Sequence, residues 1–125
     1  MYGVSVSRTV VAQHYLTVPN AGPEGTLHSH TFRIQATVRG PELNEYEYLV
    51  DIDELSAAMD ETVALFRDQT LNDLSEFEDT NPSVERLCLV FGDHLCERIS
   101  PDHATELEIE IQEDTTATVT HQRAL

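Results

Sequence analysis

The sequence predicts an α+β fold of order β-β-α-α-β-β, in which two helices cover one face of a four-stranded antiparallel sheet. Alternating apolar and polar residues run through segments near both ends of the chain, the pattern of half-buried strands. Two segments between them repeat apolar residues at helical spacing. A Pro- and Gly-rich loop separates the first two alternating runs and a tight connection separates the last two, so each pair reads as antiparallel.

The first strand runs from about Gly3 to Leu16, with Val4, Val6 and Val10 among its apolar residues. The loop PNAGPEGT follows. The second strand runs from His28 to Gly40. It places Phe32, Ile34, Ala36 and Val38 on one side and Thr31, Arg33, Gln35, Thr37 and Arg39 on the other. After the turn-like GPELNEYEY, the segment LVDIDELSAAMDETVALF reads as a helix on Leu55, Met59, Thr62, Val63 and Phe66, with Asp51 or Asp53 as its cap. The loop LNDLSEFEDT leads to NPSVERLCLVFGDHLCERI, a helix with Asn81 as cap and Pro82 in its first turn. Its apolar stripe is Val84, Leu87, Cys88, Phe91, Leu95 and Ile99. LEIEIQE and TATVTHQ close the chain as two short strands.

The 125 residues fit one domain, 1–125. No apolar run reaches the roughly 18 residues of a membrane span, and MYGVSVSRTV lacks the layout of a secretion signal, so a cytoplasmic location is expected. Seven basic residues, all arginine, face 23 acidic ones, for a net charge of −16. Such a surface repels phosphate backbones and anionic membranes, which argues against nucleic acid or membrane as partners. The acids are dispersed, as on a folded domain adapted to high salt, where screening relieves self-repulsion. Cys88 and Cys96 are spaced for neither a redox pair nor a zinc knuckle and read as buried free thiols.

His28 and His30 stand two apart on a strand, so their imidazoles share a face. Catalytic zinc wants three protein ligands and an open position. His14, near the end of the neighbouring strand, is the natural third, while His94, His103 and His121 lie on the second helix and in or near the final hairpin. On spacing alone the pair is more often two ordinary polar residues.

The motifs taken together resemble the 6-pyruvoyl-tetrahydropterin synthase family, which includes 6-carboxy-tetrahydropterin synthase. AQHYL at 12–16 resembles its first zinc-histidine motif, and LHSHTF at 27–32 its HGH motif, with Ser29 in place of glycine. LVDIDEL at 49–55, LND at 71–73, NPSVE at 81–85 and IEIQEDT at 109–115 resemble later family segments in order. The resemblance implies the tunnelling fold, whose ββααββ subunits close into a barrel and stack as a hexamer, a dimer of trimers, with active sites between subunits. It implies Zn2+ on His14, His28 and His30, and a pterin substrate, 7,8-dihydroneopterin or its triphosphate. It implies Glu113 as the carboxylate that accepts two hydrogen bonds from the pterin's guanidine-like edge, with Ser83 and Glu85 nearby. Both of the latter also suit a plain helix start, through capping and the helix dipole.

Two departures stand out. The family's proton-abstracting cysteine position is occupied by Glu24, the substitution that resembles a branch forming 6-hydroxymethyl-dihydropterin; it equally reads as one more surface acid. The family's Asp-His pair is replaced within Arg67-Asp68-Gln69, leaving Asp68 as a candidate proton handler and no histidine there. Three readings follow: a zinc-dependent carbon–carbon lyase giving 6-hydroxymethyl-dihydropterin or 6-carboxy-tetrahydropterin, a catalytically weakened pterin- or purine-binding paralogue, and a structural oligomer without metal.

Overall fold

The computed structural model describes all of residues 1–125. Strands β1 (Tyr2–His14), β2 (His28–Gly40), β3 (Glu106–Glu113) and β4 (Ala117–Ala124) form one sheet in the order β1-β2-β3-β4, every neighbouring pair antiparallel. Helices α1 (Ile52–Ala64) and α2 (Val84–Cys96) lie on one face of it. The register sets the rest: Val10 pairs with Phe32 and His14 with His28, while Phe32 also faces Glu113 on β3.

The core lies between sheet and helices. Val10, Ala12, Phe32, Ile34, Ala36, Val38, Leu107, Ile109 and Ile111 turn inward from the strands. Leu55, Met59, Val63, Leu87, Cys88, Phe91 and Leu95 meet them from the helices. Phe66, just beyond α1, packs against Phe91 with ring centroids 5.7 Å apart. Each fully buried side chain of this size contributes about 1.5–3 kcal/mol relative to exposure. The opposite sheet face is polar, with Ser5 bonded to Thr37 at 2.7 Å and Glu108 accepting from Arg39 and Gln122. No helix is long and apolar enough to cross a membrane.

Two boundaries differ from expectation, each because a long-range hydrogen bond claims the group. β1 stops at His14 rather than Leu16, because the following N–H groups are taken elsewhere: Tyr15 donates to the Asn72 side chain, Leu16 to the Glu24 carbonyl and Thr17 to the Asn81 side chain. Asn81 is thus occupied and does not cap α2. Ser83 does, its hydroxyl accepting from the Arg86 N–H at 3.1 Å. Of the two cap candidates for α1, Asp51 takes the role, accepting from the N–H groups of Asp53 and Glu54. The loop after α1 holds two short 3₁₀ turns, pinned by the fully buried Leu71 and Phe77.

β2 ends where a side chain cannot fit. A Cβ on Gly40 would run into the His103 carbonyl and lie 2.8 Å from a Leu49 methyl. Glycine is required by that close backbone approach.

Candidate metal centre and ligand pocket

Antiparallel pairing places His14 directly across from His28, and strand alternation returns His30 to the same face. The three rings stand edge to face, with centroids 4.6 Å apart for His14–His28, 5.2 Å for His14–His30 and 4.8 Å for His28–His30. One nitrogen from each can be chosen so that all three lie within 4.8 Å of one another. His14 is buried; His28 and His30 are half-buried.

Each ring is held through Nδ1. His14 donates to the Pro82 carbonyl at 2.8 Å, His28 to the Thr26 carbonyl at 2.7 Å and His30 to Asp114 Oδ2 at 2.6 Å. In these tautomers every Nε2 is a bare acceptor. Nε2 of His30 is buried with no hydrogen-bond partner, and a Glu113 carboxylate oxygen lies 3.4 Å from it. An acceptor buried among acceptors calls for a cation. The donor set therefore fits zinc, which takes neutral imidazole nitrogens held by partners on their other side. Burial, against the Pro82 hydrogen bond and helped by the neighbouring His28 and His30, pushes His14 below the ordinary histidine range and so favours the neutral, ligating form. Hydrogen bonds from His30 and then from the Thr31 N–H hold the Asp114 carboxyl below its usual range.

Beside the cluster opens a pocket of about 250 Å³ lined by His14, Leu16, Glu24, Ser83, Val84, Glu85 and Glu113. Five residues singled out from the sequence thus meet in one cavity, drawn from β1, the loop before β2, the start of α2 and the end of β3. Glu24 sits in a short turn, Gly22–Gly25, fastened to the end of β1 by the Leu16 N–H. Ser83 both caps α2 and faces the pocket, and the exposed Glu85 occupies the first turn of the same helix.

Asp68 is not among the lining residues. It is exposed, with a left-handed backbone (φ 59°), and its N–H donates to the Val11 carbonyl on the outer side of β1. None of His94, His103 and His121 lines the pocket either; His94 is engaged with Glu76 at 2.6 Å. Cys88 offers no substitute base, because burial, with the charge of Glu85 adding to it, pushes its thiol up to about 12.

Two contributors, Asn72 and Asp114, were not singled out from the sequence, and a third, Asn81, was expected to act only as a helix cap. Asn72 clamps Tyr15 by accepting its N–H and donating to its carbonyl, Asn81 holds Thr17, and Asp114 holds His30. All three lie inside motifs already noted, LND, NPSVE and IEIQEDT, but their partners are far away in sequence.

A larger open hollow of about 600 Å³ lies by the loop before α1, among Tyr46, Tyr48, Ile52 and several acids; no histidine or cysteine lines it.

A family model described as 6-pyruvoyl tetrahydropterin synthase matches residues 3–124. No curated protein matches the chain. Among solved structures, the Caenorhabditis elegans 6-pyruvoyl tetrahydropterin synthase is similar at TM-score 0.79 and 18% identity, covering 98% of this chain and 97% of its own. The Plasmodium falciparum enzyme is similar at TM-score 0.81 and 16% identity, covering 99% and 98%. A Plasmodium vivax enzyme, in a form described as a catalytic-residue mutant with glutamate changed to cysteine, is similar at TM-score 0.82 and 14% identity, covering 99% and 98%. At these identities the structural likeness establishes the tunnelling fold.

Proposed function

Because the chain belongs to the 6-pyruvoyl tetrahydropterin synthase family, whose members are lyases acting on pterins, we propose that it is a zinc-dependent lyase cleaving a side-chain carbon–carbon bond of 7,8-dihydroneopterin. The observation that carries this reading is the convergence of His14, Glu24, Ser83, Glu85 and Glu113 on one pocket beside the three-histidine cluster.

Glu113, at the end of β3, accepts two hydrogen bonds from the guanidine-like edge of the pterin. Ser83 and Glu85 border the ring from the start of α2. His14, His28 and His30 hold zinc, which when bound supplies Lewis acidity toward the side-chain hydroxyls. Glu24 takes the proton from the hydroxyl that becomes the carbonyl of the departing fragment, and returns a proton to the carbon left on the ring. That sequence gives 6-hydroxymethyl-dihydropterin, and we favour it over 6-carboxy-tetrahydropterin. The P. vivax structure, whose description makes a glutamate catalytic, supports a carboxylate in this role. No arginine of the same chain lines the pocket, so a triphosphate would depend on a neighbouring copy for a cationic side chain.

We also propose the family's assembly, two stacked trimers. β4 and the first part of β1 are sheet edges with no strand beside them, the end of β1 being bonded to residues 68–70, and the pocket, at about 250 Å³, is smaller than the roughly 300–1,000 Å³ usual for ligand sites, as suits one completed by a neighbouring copy. Light scattering of the purified protein tests this; a monomer overturns it. The acidic surface fits adaptation to high salt, and a melting temperature that does not rise between dilute buffer and molar salt overturns that reading.

The deciding experiment incubates zinc-loaded protein with dihydroneopterin and separately with its triphosphate, and identifies products by chromatography. Turnover of dihydroneopterin to 6-hydroxymethyl-dihydropterin is expected. Binding of pterin without turnover of either compound supports the second reading, a weakened pterin-binding paralogue, which the exposed, off-pocket placement of Asp68 and the lack of a lining histidine other than His14 favour.

A further inference from the structure

We propose that Asp114 is a positioning residue for the metal centre: it fixes the His30 tautomer whose bare Nε2 faces His14 and His28. The inference rests on the zinc reading above and extends it to a residue that neither touches the metal nor lines the pocket.

The geometry is specific. Asp114 follows β3 immediately, with a left-handed backbone (φ 48°) of the kind Asp tolerates better than most residues. Its own N–H donates to the Thr31 carbonyl at 2.9 Å, and its Oδ1 accepts the Thr31 N–H at 2.9 Å. Two bonds to β2 thus seat the residue before the imidazole is considered. Oδ2 then lies 2.6 Å from His30 Nδ1. An ionised carboxylate can only accept, so Nδ1 carries a proton, and in the neutral imidazole that ligates a metal Nε2 is then bare. That Nε2 is the buried nitrogen with no partner.

His14 and His28 are oriented by backbone carbonyls, of Pro82 and Thr26. His30 alone relies on a side chain, so it is the one ligand whose orientation a point substitution can change without touching the backbone. The Asp114 side chain is 45% exposed, so its bond to His30 matters more for orientation than for stability. Carboxylate partners of ligating histidines also raise ligand basicity.

Asp114→Asn separates positioning from a structural role. The amide oxygen can still accept the Thr31 N–H. Its NH₂ group then faces His30, and a donor there favours the proton on Nε2, where it blocks ligation. Zinc affinity would be measured on metal-stripped protein by competition with a chromophoric chelator. The tautomer of each histidine would be read from ring nitrogen shifts by NMR, and the melting temperature of the zinc-free protein would be compared. The expected result is a zinc affinity lower by about 10–100-fold, a His30 proton moved to Nε2, and an unchanged zinc-free melting temperature. Asp114→Glu, which restores an acceptor, should recover part of the loss. Equal zinc affinity in wild type and Asp114→Asn overturns the inference while leaving the zinc reading intact. So does a lowered melting temperature at unchanged affinity, which makes Asp114 a turn residue only. A wild-type protein that binds no zinc overturns both.

Discussion

Two histidines of this chain rest on carboxylates at the same distance. His30 and Asp114 approach to 2.6 Å, and so do His94 and Glu76. The pairs nevertheless differ in which nitrogen they use. His30 spends Nδ1 and turns a bare Nε2 toward two more imidazoles. His94 spends Nε2, lies with its ring edge against Phe66 at 5.9 Å, and has no second histidine nearby. An imidazole–carboxylate contact therefore carries no function by itself. What distinguishes the two is what the remaining nitrogen meets, and only the strand pair gathers further imidazoles around it.

The largest expected effect tests that distinction directly. His28→Ala should remove zinc from the protein, by more than the roughly 10–100-fold that a supporting residue carries, and activity with it. His94→Ala should leave one zinc per chain by metal analysis. Zinc loss in the second variant would erase the contrast between the two pairs.

Glu24→Gln should lower kcat by about 10²–10⁴ without changing zinc affinity, the range for loss of a general acid–base. Asp68 lies off the pocket, so Asp68→Asn should cost less than about tenfold, below the range of acid–base effects. A larger loss for Asp68→Asn in steady-state assays would place that carboxylate in the pocket of an adjoining copy.

Glu113→Gln should weaken pterin binding by about 1.5–3 kcal/mol, or one to two orders of magnitude in Kd, measured by calorimetry with zinc bound. The same change at Glu85 should cost less, because Glu85 is exposed.

The smallest effect belongs to the second histidine pair. The hydrogen bond from His94 holds the Glu76 carboxyl below its usual range. A depressed carboxylate contributes stability that is present above its unfolded value, about 4.3, and lost as pH falls through the folded value. Glu76→Gln should therefore flatten the fall of melting temperature below about pH 4.3. At higher pH it should cost only about 0.5 kcal/mol, because Glu76 is more than a third exposed and solvent screens the pair.

The sheet was readable because its signals are periodic. The alternation from Phe32 to Val38 and the stripe from Val84 to Leu95 meet the core as the sequence predicts. The boundary differences arose from tertiary hydrogen bonds. Asn81 looks like a helix cap in its local context, yet a partner 64 residues away, Thr17, claims it. The same holds for the centre. His28 and His30 share a strand face by their spacing and gain a metal reading from the motifs around them, whereas Asp114 holds His30 across a separation of 84 residues and leaves no local pattern. Asp68 shows the opposite case: its neighbours invite a catalytic reading, but the chain's left-handed turn puts it on the outer side of β1.

The Pro82 carbonyl that holds His14 has a thermodynamic consequence. It ties the last residue of the first strand to the residues just before the second helix, and His28 and His30 are likewise fastened to Thr26 and to the turn at Asp114. An ion shared by the three rings would be a cross-link that exists only in the folded chain. Zinc at a hundred times its Kd would then add about 2.7 kcal/mol to the free energy of unfolding. Thermal melts with and without a chelator would read this directly as a drop in midpoint. Metal supply would thus set how long the protein survives as well as how fast it works.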